Sequence, residues 1–192
     1  MSADDLGPED KDAAGPASAY DMTHEDEAVE RRTLAIMVDN EPGVLARVVG
    51  LFSARGYNIE SLTVAEVDET RHRSRITVVT SGTPHTLEQI EAQLLRLVPV
   101  GRVTDITKSK RGVERELGLF KVAGEGEKRV EALRIAEIFR ARVIDTTNKS
   151  FIFELTGASD KLDQFRELMR PLGLVELSRT GVLSIKRGAE KG

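Results

Sequence analysis

From Thr33 onward the chain runs through two alternating hydrophobic rhythms. Leu34, Ile36 and Val38 occur at every second position, the spacing of a half-buried strand. After the sequence NEPG, Leu45, Val48, Val49 and Phe52 fall at helical spacing, and Gly56 stands where a helix C-terminal cap belongs. A strand is predicted over residues 59–67, then a polar turn over 68–72 and a strand carrying Ile76 and Val78. Thr83 is placed as an N-cap with Pro84 in the first helical position, ahead of a stripe of Leu87, Ile90, Leu94 and Leu97. A strand over 100–107 closes the series and, following Pro99, is expected at a sheet edge. Strand, helix, strand, strand, helix, strand is the ferredoxin-like order. The predicted class is therefore α+β, an antiparallel sheet with its helices on one face.

The order then repeats. Residues 113–122 read as a strand, and Ala132, Ile135, Ala136 and Phe139 as a helical stripe. Strands follow over 143–147 and 151–155 around an Asn148-Lys149 turn. Leu162, Phe165, Met169 and Leu172 line another helix. Residues 175–185 hold a last strand, or two short ones split at Gly181. Some letters repeat as well: LFSARGYNIESLT, 51–63, aligns with IFRARVIDTTNK, 138–149, setting Phe52, Ala54 and Arg55 opposite Phe139, Ala141 and Arg142. Two units from one duplicated element is the economical reading. The expected organisation is a tail over 1–31, a first domain over 32–108, a linker over 109–112, a second domain over 113–188 and a short tail over 189–192. So short a linker implies that the two units pack together.

Charge and composition then narrow the function. The net charge of −4 hides an asymmetry: residues 1–30 hold ten Asp or Glu and one Lys, so the remainder is mildly basic. The first segment, rich in Ala, Gly and Pro, reads as a solvated acidic tail without periodicity. Aromatics are 4% and Trp is absent, and the basic residues form no stripe, which argues against a nucleic-acid surface. There is no Cys, excluding disulfides and thiolate chemistry. No apolar run approaches the ~20 residues of a membrane span, and MSADD does not open like a signal peptide. A cytoplasmic location without membrane contact is expected.

Catalytic constellations are missing. His24, His72 and His85 are the only histidines, and none has a partner at a spacing that suggests a triad or a metal pair. No Walker loop, HExxH or GxGxxG pattern occurs. The carboxylate pairs Glu114/Glu116 and Asp160/Asp163 read as solvated or capping groups. A binding module is the better expectation. NEPGVL would present the free amides and positive end of a helix to a carboxylate. Gly43 clears space for a ligand, Pro42 stiffens the loop, and the amide of Asn40 can both donate and accept. Val44 and Leu45 could wall a small aliphatic side chain. The same residues also suit a plain strand-to-helix turn, and the residues alone leave both readings open.

The longer stretch NEPGVLARVVGLFSARGYNIESLTV, 40–64, resembles the N-terminal signature of the small, regulatory subunit of acetolactate synthase, also called acetohydroxyacid synthase. The similarity continues through LEQIEAQL, LVPVGRVTDI, GVERELGLFKV, EIFRARVIDTT, TGASDKLDQF and SRTGVLSIKRG, covering roughly residues 32–188. The resemblance implies two ACT domains per chain, a homodimer and no catalytic residues. It implies a catalytic large subunit carrying thiamine diphosphate, Mg2+ and FAD, with no cofactor on this chain. It also implies activation of that subunit and feedback inhibition by valine in branched-chain amino acid biosynthesis. Carried over by motif, the effector-binding residues are Asn40, Gly43, Val44 and Leu45 of one chain with Asn58 and Ile59 of its partner. Residues 122–126 depart from the loop pattern, so no effector site is expected in the second domain. Arg47 and Arg55 are candidates for contact with the catalytic subunit. A free-standing double-ACT amino-acid sensor acting on another regulator or on transcription is the alternative, which a gel shift at low salt would reveal.

Overall fold

The computed structural model describes residues 28–108 and 112–189. Residues 1–27 of the tail expected over 1–31, positions 109–111 of the expected linker and residues 190–192 of the short tail expected over 189–192 lie outside the described residues. The first unit runs β1 (Glu30–Asp39), α1 (Val44–Arg55), β2 (Ser61–Asp68), β3 (Arg73–Gly82), α2 (Pro84–Leu94) and β4 (Val100–Asp105). The second runs β5 (Gly112–Val122), α3 (Glu127–Phe139), β6 (Arg142–Thr146), β7 (Phe151–Gly157), α4 (Ser159–Met169), a 3-10 turn (Arg170–Leu172), β8 (Leu174–Arg179) and β9 (Leu183–Lys186). The sheets are ordered β2-β3-β1-β4 and β6-β7-β5-β8, every pairing antiparallel. This is the predicted ferredoxin-like arrangement, twice.

Each helix buries one stripe. Val44, Val48 and Phe52 of α1 and Leu87, Ile90 and Leu94 of α2 close over Leu34, Ile36, Val38, Ile76 and Val78. Thr83 caps α2 through its hydroxyl, accepting from the Thr86 amide, with Pro84 behind it. The second core is aromatic: Phe165 of α4 lies edge-on to Phe120 at 4.8 Å between ring centres and to Phe153 at 6.1 Å.

Four sequence expectations are corrected. Leu45 does not join the α1 stripe. The helix begins at Val44, which takes the inward position, and Leu45 is left 39% exposed. β1 begins at Glu30, ahead of Thr33, because its charges are answered: Arg32 bonds Glu30 and the buried side chain of Asp105, and Arg31 bonds Glu60. Glu116 is neither solvated nor a cap. It is buried on β5, where the Arg179 guanidinium donates to both its oxygens at 2.8 and 2.5 Å and to Asp163 at 2.7 Å. A carboxylate can be buried when it is paired and hydrogen-bonded this fully. Gly112, assigned to the linker from the sequence, is the first residue of β5.

The final segment forms two strands. Gly181, at φ 82°, breaks the run, so that β8 pairs with the far half of β5 and β9 with its first residues, Gly112–Arg115. β9 also meets the helix-free face of the first sheet, where Ala35, Thr77 and Val79 are buried although they alternate with core positions.

Glu91 on α2 sits above the ordinary carboxylate range. Burial is the main cause, opposed by Lys108 at 3.6 Å and reinforced by Asp105. A carboxyl whose folded pKa is raised binds its proton more tightly in the folded state. Its stabilising contribution is therefore present below the unfolded value and lost as pH rises through the folded value. Glu91→Gln is expected to flatten the fall in melting temperature as pH rises above about 4, and to raise the melting temperature once the parent carboxyl is ionised.

Candidate functional site

The loop after β1 is built from the backbone outward. The Asn40 amide donates to the His72 carbonyl at 2.7 Å, tying the loop to the β2–β3 turn. The Val44 amide donates to the Glu41 carbonyl at 3.2 Å, closing a tight turn over Pro42 and Gly43. Gly43 is left-handed at φ 83°, and a Cβ added there would meet nothing within 4 Å. No side chain caps α1, and its first turn holds no acidic residue. Among the described residues no acceptor takes the amides of Leu45 or Ala46. Two donors at the positive end of a helix thus face outward beside an empty approach. The side chains of Asn40, Pro42 and Leu45 are exposed around them, and Val44 is turned into the core.

Asn58 and Ile59 lie at the other end of the same helix. Gly56 ends α1 in the left-handed conformation, with the Tyr57 amide returning to the Phe52 carbonyl at 2.9 Å. The loop is then pinned to β3: the Thr80 hydroxyl donates to the Asn58 carbonyl at 2.6 Å, and the Glu60 amide to the Val79 carbonyl at 2.8 Å. Ile59 leans on the core and the Asn58 side chain faces solvent. The 12 residues of α1 separate the two groups by about 18 Å. One chain therefore brings Asn40, Gly43, Val44 and Leu45 together, and holds Asn58 and Ile59 a helix length away.

The second unit repeats neither half. Its equivalent helix start, Gly126, is followed by Glu127, whose charge would oppose an anion. Only Arg140 and Ala141 separate α3 from β6, against the five residues 56–60 between α1 and β2. The letter repeat of Arg55 with Arg142 thus matches a helix end with a strand start.

A cleft of about 480 Å³ lies between the units, lined by Arg31, Glu60, Glu116, Asp163, Arg179 and Gly181 among others. The Arg179 charge is already shared between Glu116 and Asp163, and bonding to Glu116 raises its pKa, so this cluster serves structure. His72 and His85 are exposed, and His24 lies outside the described residues. Among the described residues no three His, Asp or Glu side chains are grouped to hold a metal ion, and no helix is long and apolar enough to cross a membrane. Chemically, the outward amides suit a carboxylate and the Asn side chains an ammonium group or a carboxylate.

Comparison with known proteins decides the family. Residues 34–102 match the sequence family described as "AHAS small subunit-like ACT domain", and residues 115–188 match "Small subunit of acetolactate synthase". A probable acetolactate synthase small subunit of Archaeoglobus fulgidus is 47% identical over 161 residues, covering 84% of this chain and 99% of that one. The chain belongs to the acetolactate synthase small-subunit family. The isozyme 3 small subunit of Escherichia coli is 46% identical over 159 residues, covering 82% of this chain and 96% of that one. A crystal structure of the small subunit from Thermotoga maritima superposes with a TM-score of 0.75 at 38% identity, covering 84% of this chain and 99% of that one. Within this family the first unit is an ACT domain, and the loop at Asn40 and the loop at Asn58 both fall on or beside the matched segment.

Proposed function

We propose that this chain is the regulatory subunit of acetolactate synthase: it activates the thiamine-diphosphate-dependent catalytic subunit and makes it sensitive to valine. The observation that carries the reading is the open helix start of α1. Its two unanswered amides fit the carboxylate of a free amino acid, and Leu45 beside them fits an aliphatic side chain. On this reading thiamine diphosphate, Mg2+ and FAD reside on the catalytic subunit, and this chain supplies no catalytic group.

The separation along α1 supports a site shared between two chains. Asn58 and Ile59 lie about 18 Å along α1 from the Gly43 loop of their own chain, which favours a partner chain bringing them to it. The edge strand β2 offers the means. Among the described residues it pairs with β3 alone, and Val64 and Val67 on it are about half exposed. An unpaired edge with apolar side chains is a template for a second copy. Valine bound across such an interface reports on how two subunits sit together, and shifts the balance only by its preference for one arrangement.

A mixed-dimer experiment tests the shared site. Gly43→Asp and Asn58→Ala homodimers should each lose valine binding by calorimetry. A mixture allowed to exchange subunits should regain binding in the mixed dimers, which hold one intact site. Failure of the mixture to regain any binding would contradict a site built from both chains.

A further inference from the structure

Strand β9 holds the two units together through side chains that the effector reading does not use. Val182, just before β9, is 2% exposed. Its amide donates to the Ser61 hydroxyl at 2.8 Å, and its carbonyl accepts from the Thr63 hydroxyl at 3.1 Å. Two residues on, the Ser184 carbonyl accepts from the Arg75 guanidinium at 2.8 Å. The approach is close: a Cβ at Gly181 would fall 2.7 Å from the Ser61 hydroxyl and 3.1 Å from the Thr63 methyl. Ser61 and Thr63 reach Val182 because Leu62 between them is turned to the helix side, so strand alternation sends both hydroxyls to the opposite face.

The place of these contacts in the chain gives them meaning. Ser61 is two residues beyond Ile59, and the loop between is fixed to β3 by the bonds to Asn58 and Glu60. A shift of that loop has little slack in which to dissipate before Ser61. On the far side, β9 pairs with Gly112–Arg115, next to Glu116, which Arg179 links to Asp163 of α4. The seam is also incompletely satisfied. Among the described residues the buried Arg75 Nε and Ser184 hydroxyl find no partner, so releasing β9 costs less than opening a fully bonded seam.

We propose that β9, with the Val182 that leads into it, is a latch between the effector loop and the second unit, with Ser61 and Thr63 as the positioning residues that engage Val182. The latch rests on the reading of Asn58 and Ile59 as half of a valine site. It has two states, Val182 bonded to β2 or released, and a ligand that moves the 56–60 loop biases the choice between them.

The test uses the full chain reconstituted with the catalytic subunit. Ser61→Ala with Thr63→Val removes both hydroxyls at nearly constant volume. The double variant should bind valine as the parent does by calorimetry and still activate the catalytic subunit. Its residual activity at saturating valine should rise about fivefold or more, the lower end of a typical coupling. Thr63→Val alone, which removes one bond, should give an intermediate effect. Ser61→Thr with Thr63→Ser keeps both hydroxyls and should restore inhibition. Full inhibition of the double variant by valine overturns the latch. So does loss of activation together with inhibition, which would make the seam merely structural. A parent chain that binds no valine overturns the effector reading and the latch with it, whereas a parent that binds valine leaves the latch to stand or fall on the double variant.

Discussion

Gly43→Asp is expected to give a chain that still activates the catalytic subunit but no longer responds to valine. The backbone at Gly43 is left-handed, a conformation that Asp tolerates better than most residues, and the space for a Cβ is open. The fold should therefore survive. The new carboxylate would stand beside the free amides of Leu45 and Ala46 and answer them itself, as acidic residues at helix starts do. A ligand carboxylate would then lose its donors and meet a like charge. Leaving charged hydrogen bonds unmade costs about 3 kcal/mol, which corresponds to roughly a hundredfold weaker valine binding. Calorimetry on the isolated chain and inhibition of the reconstituted enzyme should both show the loss. Unaltered valine sensitivity would place the site elsewhere.

The largest stability effect is expected from Phe165→Ala. Phe165 is fully buried on α4 and touches three other rings: Phe120 and Phe153 edge-on, and Phe139 at 5.3 Å. Truncating a buried Phe costs about 3–5 kcal/mol in lost transfer energy and cavity formation. For a chain of this size the thermal midpoint should fall on the order of 10 °C. Leu168, three residues on and 44% exposed, is the control. Its replacement by Ala should change stability by about 0.5 kcal/mol or less. Equal effects at the two positions would contradict the placement of the second core.

Much of this architecture can be read from local pattern. Val48 and Phe52, or Leu87, Ile90 and Leu94, announce their helices because burial of one face imposes a period near 3.6. Thr83-Pro84 and Gly56 mark helix ends because capping chemistry is local. Leu45 is misplaced because Val44, its apolar neighbour, lies four residues before Val48 and eight before Phe52 and takes the inward place instead. Glu116 was misread because its partner, Arg179, is 63 residues away and no local rule announces it. The β9 seam was equally hidden: Ser61, Thr63 and Val182 look like ordinary strand residues until the fold sets them side by side. For the candidate site, the sequence placed both Asn40 and Asn58 beside helix ends. The helix length between them then favours a partner chain bringing them together.

The most direct test of the account is a titration of this chain into the purified acetolactate synthase catalytic subunit, with acetolactate formation followed with and without valine. The account predicts that activity rises with added chain to a plateau, that valine lowers the plateau, and that the chain alone forms no acetolactate. Activity unaffected by the chain, or a plateau indifferent to valine, would contradict it.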